Sequence, residues 1–201
     1  NMKYILLIIL VGVALLAQAQ NYGPSLSDAT AHMASLKRQT ESVARIECDF
    51  EMHKKVKMMK DINVSKGRFS YDKQQRKMTL DYTQPKGNKI VVDGDDFIVT
   101  MGGKTTELKA NETPAMSQLS AMVTACMTGD FISLCDRSKV DYYADNDIFT
   151  IVITPQNKRV QRYMSEIVLR FALSDYTMSV MRMTERNGDY TEYHFTNKQI
   201  K

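Results

Sequence analysis

From Met78 onward apolar side chains recur at every second position. Met78, Leu80 and Tyr82, then Ile90 and Val92, then Phe97, Val99 and Met101 each alternate at period two. Successive side chains on a strand point to opposite faces, so this pattern predicts a sheet with one apolar and one polar face. Pro85-Lys86-Gly87-Asn88 and Asp93-Gly94-Asp95 separate the runs, and their turn chemistry predicts two tight corners of an antiparallel meander. The same period appears upstream, where Ile46, Cys48, Phe50 and Met52 alternate with Glu47, Asp49, Glu51 and His53. A long strand is expected from Arg45 toward Met59, turning through the basic stretch Lys54 to Lys60 and returning over Val64 to Tyr71 with Gly67, Phe69 and Tyr71 in phase. Gly102-Gly103 then turns the chain into a polar strand, Thr105 to Lys109.

Two segments break this period. Leu26, Ala29, Met33, Leu36, Thr40 and Val43 lie three or four apart, which predicts an amphipathic helix from about Ser25 to Ala44 with Ser or Asp to cap it. Thr113-Pro114 opens a second helix, since proline at the first helical position lacks only a donor that would be unpaired anyway. Its stripe is Met116, Leu119, Met122, Val123, Cys126 and Met127; Gly129 ends it, and Phe131 to Leu134 adds one apolar turn. The last third returns to strands: Val140 to Ala144, Asp147 to Thr154, Ser165 to Leu173, Met178 to Thr184 and Asp189 to Thr196, with Asn187-Gly188 as a hairpin turn. The expected class is α+β, mainly antiparallel β. About eleven twisted strands tend to curl into a barrel or half-barrel, and two helical segments are suited to cover its open, apolar side.

Composition adds the compartment. Lys3 is followed by an apolar run to Leu16 and by Ala17-Gln18-Ala19, a small-x-small cleavage site. With Asn1 set aside ahead of Met2, residues 1–19 read as a secretory signal peptide rather than an anchor, and 20–201 as one exported domain. No cysteine stands at the cleavage point. The formal net charge of +4 is spread along the chain, which argues against a nucleic-acid groove. Three cysteines cannot all pair internally. A Cys126–Cys135 bridge is conceivable from spacing, and Cys48 reads as a buried small hydrophobe.

Candidate chemistry is sparse. His32, His53 and His194 fit no zinc-protease spacing, and no Gly-x-Ser-x-Gly elbow is present. His32 is expected on the exposed side of its helix, and His53 and His194 at the surface or on edge strands. Asp93, Asp95 and Asp96 crowd one turn but lack the remaining ligands of a calcium loop. The basic stretch Lys54 to Lys60 reads either as a solvated tip or as a contact for anionic lipid. No catalytic residue, metal ligand or cofactor is therefore expected. What remains is the apolar face, either a packed core or a ligand cavity; 14 methionines suit a cavity that fits variable chains, though they also suit gap filling.

Several landmarks in order resemble one family. The N-terminal helix, the long first strand with Phe50, Gly67-x-Phe69-x-Tyr71, Tyr82-Thr83-Gln84-Pro85, and Val92-Asp93-Gly94 leading to Phe97 are similar to the periplasmic outer-membrane lipoprotein carriers, LolA, over roughly Ser27 to Thr196. The resemblance implies an unclosed barrel whose apolar cavity accepts the acyl chains of lipoprotein cargo from an inner-membrane lipoprotein-releasing transporter and passes them to an outer-membrane acceptor. It implies a monomer without cofactor or nucleic-acid partner. The cavity is then expected from Phe50, Phe69, Tyr71, Met78, Leu80, Tyr82, Ile90, Val92, Phe97 and Val99, faced by Met116, Leu119, Met122, Val123, Met127 and Phe131. Thr79 stands where the carriers hold an arginine, so that arginine's gating role is not carried over. A second reading on the same half-barrel is a lipid- or lipoprotein-sensing regulatory module of the envelope.

Overall fold

The computed structural model describes residues 22–112, 120, 124, 129–130, 133, 137–158 and 160–201. The signal peptide, the second helix with its stripe, and the Cys126–Cys135 pair fall outside the described residues. Within them, one helix, α1 (Thr30–Ser42), precedes eleven strands. These are β1 (Arg45–Lys55), β2 (Ile62–Asp72), β3 (Lys77–Gln84), β4 (Lys86–Asp93), β5 (Asp96–Met101) and β6 (Lys104–Lys109), then β7 (Ser138–Ala144), β8 (Ile148–Pro155), β9 (Glu166–Ala172), β10 (Met178–Thr184) and β11 (Tyr190–Ile200).

All eleven strands form one antiparallel sheet in the order β6-β5-β4-β3-β2-β1-β11-β10-β9-β8-β7. Two meanders of neighbouring hairpins thus meet at a single long-range pairing, β1 with β11, where Phe50 lies opposite Phe195 and Met52 opposite Tyr193. The outermost strands β6 and β7 do not pair, so the sheet stays an open half-barrel.

Helix α1 carries the expected stripe. Ala29, Leu36 and Val43 are buried, and Leu26 and Met33 pack at the margin of a core built with Phe149, Ile151, Ile153, Ile167, Leu169 and Phe171 of β8 and β9. The helix starts later than its sequence pattern predicts. Ser25 bridges to Tyr143, the Leu26 amide donates to the Tyr142 carbonyl, and the Ala144 amide donates to the Pro24 carbonyl, so this stretch serves as extended chain along the edge of β7. The Asp28 carboxylate accepts from the Thr30 amide at the true helix start, and hydrogen bonds from the Thr30 side chain and then its amide hold the carboxyl below the usual range.

Other departures have similar causes. Gly87 and Asn88 belong to β4 rather than to a four-residue corner, because Lys86 already pairs with Thr83 across Pro85. Strand β1 ends at Lys55, where the Lys55 ammonium folds back to the Met59 and Lys60 carbonyls and closes the tip. β8 and β9 read as continuous apolar runs, Ile151-Val152-Ile153 and Ile167-Val168-Leu169, and are buried on both faces rather than on one.

Candidate functional site

The apolar face of β1 to β5 curves toward α1 and the C-terminal strands and leaves a cavity of about 270 Å³, near the small end of ligand pockets. Seven of the residues expected there line it: Phe69, Tyr71, Met78, Leu80, Ile90, Val92 and Phe97. Three others do not. Phe50 and Tyr82 pack edge to face with ring centroids 5.0 Å apart in a buried cluster with Leu80 and Tyr193. Phe50 is drawn there because its Cα partner on β2 is Gly67, whose missing side chain leaves room for the ring. Val99 is half-buried between Ile90 and Thr106, beyond the lining. Met116, Leu119, Met122, Val123, Met127 and Phe131 lie outside the described residues.

The remaining wall comes from elements read for other purposes. Leu36, Gln39 and Thr40 of α1, with Val43 just past its end, close one side, so the first helix is itself a cover. Met181 and Met183 of β10 and Tyr193 and Phe195 of β11 close the other. Both pairs alternate in the sequence, which is the signal that marks them. Cys48 also lines the cavity as a buried free thiol, and burial pushes its pKa up to about 11.

Polar groups are few. The Tyr82 and Tyr193 hydroxyls meet at 3.0 Å, and the Tyr82 hydroxyl also reaches the Met52 thioether at 3.4 Å. Burial raises the pKa of both phenols. Lys198 is the one charged side chain among the described lining residues. Its ammonium donates to Thr177 Oγ1 at 2.8 Å, and that hydroxyl donates to Asp175 Oδ1 at 2.8 Å. Thr79 pairs with Ser70 and Val91. It alternates with the cavity-lining Met78 and Leu80, so it occupies the outer face with Asp81.

Of the histidines, His32 departs from expectation, and His53 and His194 lie on the surface face of the sheet rather than on edge strands. His32 is partly buried, stacked on Phe149 at 4.8 Å with Nδ1 2.9 Å from the Tyr176 hydroxyl, because the α1 stripe rolls that side of the helix onto β8. His53 and His194 sit not at an edge but on β1 and β11, in mid-sheet, with rings 5.0 Å apart. The acidic turn is neutralised locally, Asp93 by Lys77 at 3.4 Å and Asp96 by Lys109.

The family model described as outer membrane lipoprotein carrier protein LolA matches residues 41–201. The chain belongs to the LolA family. No curated protein matches it in sequence. Among solved structures, an uncharacterized conserved protein from Thermus thermophilus is similar at a TM-score of 0.52, with 6% identity over 87% of this chain and 88% of that one. A chain of the Pseudomonas aeruginosa MucA/MucB complex is similar at 0.50, with 11% identity over 87% of this chain and 57% of its own length. At these identities the likeness shows the LolA-type fold alone. Among the described residues no helix is long and apolar enough to cross a membrane.

Proposed function

We propose that this LolA-family protein is a periplasmic carrier that holds the acyl chains of lipoproteins in the cavity and ferries them from an inner-membrane releasing transporter to an outer-membrane acceptor. The observation that carries the reading is the cavity itself: an apolar hollow on the concave face of an unclosed sheet, with one charged side chain among its described lining residues. In this reading residues 1–19 are removed on export, residues 20–201 act as one domain, and the stripe Met116 to Phe131 adds a second cover.

The energetics fit a carrier rather than a catalyst. Each methylene withdrawn from water contributes about 0.8 kcal/mol, so ten of them contribute about 8 kcal/mol. That shields a chain in transit. Handing it on requires the acceptor to bind better than this protein does, which an incompletely enclosed site permits.

Native mass spectrometry of the protein isolated from its own periplasm tests the proposal. Bound acylated protein is the expected result. Free lipid alone would replace carriage with lipid sensing or general lipid binding, and an unliganded protein that also fails to take up acyl chains in vitro would overturn the reading.

A further inference from the structure

We propose that Lys198 is an anchoring cation for an anionic head group, so that the cavity takes, beyond the ester- and amide-linked chains of a lipoprotein, free acyl chains ending in a carboxylate or a phosphate. This rests on the acyl-chain reading above and adds the polar end of the ligand. Along β11, Tyr193 and Phe195 face the cavity, and strict alternation would send Lys198 to the outer face. A register shift prevents that. Glu47 pairs with Gln199 but Asp49 pairs with Thr196, so Asn197 and Lys198 together stand opposite Cys48. Such a bulge re-aims every side chain beyond it. Asn197 takes φ 52° to make it, and its amide donates to Asp49 Oδ2 at 2.8 Å. Lys198 and Ile200 are thereby turned onto the cavity face.

The ammonium so placed makes no ion pair among the described residues. Its partner is the neutral Thr177 hydroxyl, itself held by Asp175 through both side-chain and backbone bonds. Burial lowers its pKa, with Asp175 opposing. Cys48, the ionisable lining group across the bulge, is kept as the neutral thiol at pH 7. An arriving anion would therefore meet a half-buried cation without a counter-charge in contact, where charge-assisted hydrogen bonds are strong.

The test is displacement of the neutral fluorophore N-phenyl-1-naphthylamine by hexadecanoate, hexadecyl phosphate and hexadecanol. The native protein should favour an anionic chain over the alcohol by about tenfold or more. Lys198→Met should erase that preference while leaving hexadecanol unchanged, and Lys198→Arg should keep it. The more potent anion tells carboxylate from phosphate. Equal potency of alcohol and anions, or an unchanged preference in Lys198→Met, would overturn the anchor while acyl binding stood. Failure of the fluorophore and all three chains to bind would overturn the acyl-chain reading as well.

A second inference rests on the opposite face of the sheet and is independent of the first. We infer that His53, Glu192 and His194 form a site for a divalent transition metal. The paired central strands carry the same Glu-x-His triplet in antiparallel register, Glu51 opposite His194 and His53 opposite Glu192. One ligand atom from each of His53, Glu192 and His194 lies within 4.8 Å of the others. Each imidazole Nε2 now meets its own triplet's carboxylate, at 2.6 Å for His53 and 2.7 Å for His194. The second carboxylate oxygens face Lys66 at 3.2 Å and Arg182 at 3.4 Å, so Glu192 keeps one oxygen for a metal shared with the two imidazoles, a donor set suited to zinc or nickel. A metal there would tie the two meanders together at the pairing that joins them. Calorimetric titration of the tag-free protein with Zn²⁺ and Ni²⁺ should show one site of micromolar affinity. His53→Asn and His194→Asn should each weaken it at least tenfold without lowering the melting temperature of the metal-free protein by more than a few degrees. No saturation below millimolar metal, or affinity indifferent to both substitutions, would overturn it.

Discussion

The hydroxyl pair of Tyr82 and Tyr193 makes an asymmetric prediction. Tyr193 is 4% exposed and Tyr82 also 4%, so neither phenol has ready access to solvent. Their oxygens are 3.0 Å apart, and Tyr82 has a second acceptor in the Met52 sulfur at 3.4 Å. The arrangement that satisfies both has Tyr193 donating to Tyr82 and Tyr82 donating to the thioether. Tyr193→Phe then removes a donor and leaves Tyr82 still bonded to sulfur, costing about 0.5–1.5 kcal/mol, the net worth of a hydrogen bond. Tyr82→Phe leaves the Tyr193 hydroxyl buried without an acceptor, costing about 1–3 kcal/mol. The double substitution removes both groups and should cost no more than Tyr82→Phe alone, a coupling of about 1 kcal/mol. Urea unfolding followed by circular dichroism measures all three, provided the slope is unchanged. A larger loss for Tyr193→Phe than for Tyr82→Phe, or a double variant equal to the sum of the singles, would refute the donor assignment.

Gly67→Ala should destabilise by about 1–3 kcal/mol, because a Cβ there would sit within contact of both the Asp81 carbonyl oxygen and the Phe50 ring; thermal melting reads it, and an unchanged midpoint would mean the sheet yields freely. Leu36→Ala should cost about 2–5 kcal/mol, since Leu36 is 2% exposed and shared between the core and the cavity wall, and should also weaken uptake of a fluorescent acyl chain. Cys48 gives the pH dependence: its folded pKa of about 11 lies above the ordinary thiol value of 9.0, so its contribution to stability is whole below pH 9 and declines as pH rises toward 11. Peptide mapping after iodoacetamide at pH 8 should find Cys48 unmodified in the native protein and modified in urea, and Cys48→Ala should flatten the alkaline loss.

Much of this was legible because parity is local. Alternation placed Phe69, Tyr71, Met78, Leu80, Ile90, Val92 and Phe97 on one face, and three-and-four spacing placed Leu36 and Val43 under the helix. What escaped depends on distant partners. The bulge at Asn197 exists only against β1, so no window along β11 foretells that Lys198 faces inward. His53 and His194 read as separate surface or edge-strand residues until the β1–β11 pairing makes them neighbours. Phe50 leaves the cavity wall because of a glycine on another strand, and Ser25 is claimed by β7 before its helix can begin.

That one pairing also sets the order of assembly. Every other pairing among the described strands joins neighbours in the chain, so each meander is built from hairpins that close quickly. β1 has its β2 side satisfied early, but its other edge waits for the last strand to arrive, and closing so long a loop is entropically slow. During that wait an unpaired strand bearing Phe50 and Met52 is exposed beside a half-formed apolar face, which makes the interval before β11 docks the moment at which this protein is most prone to pair with another copy of itself.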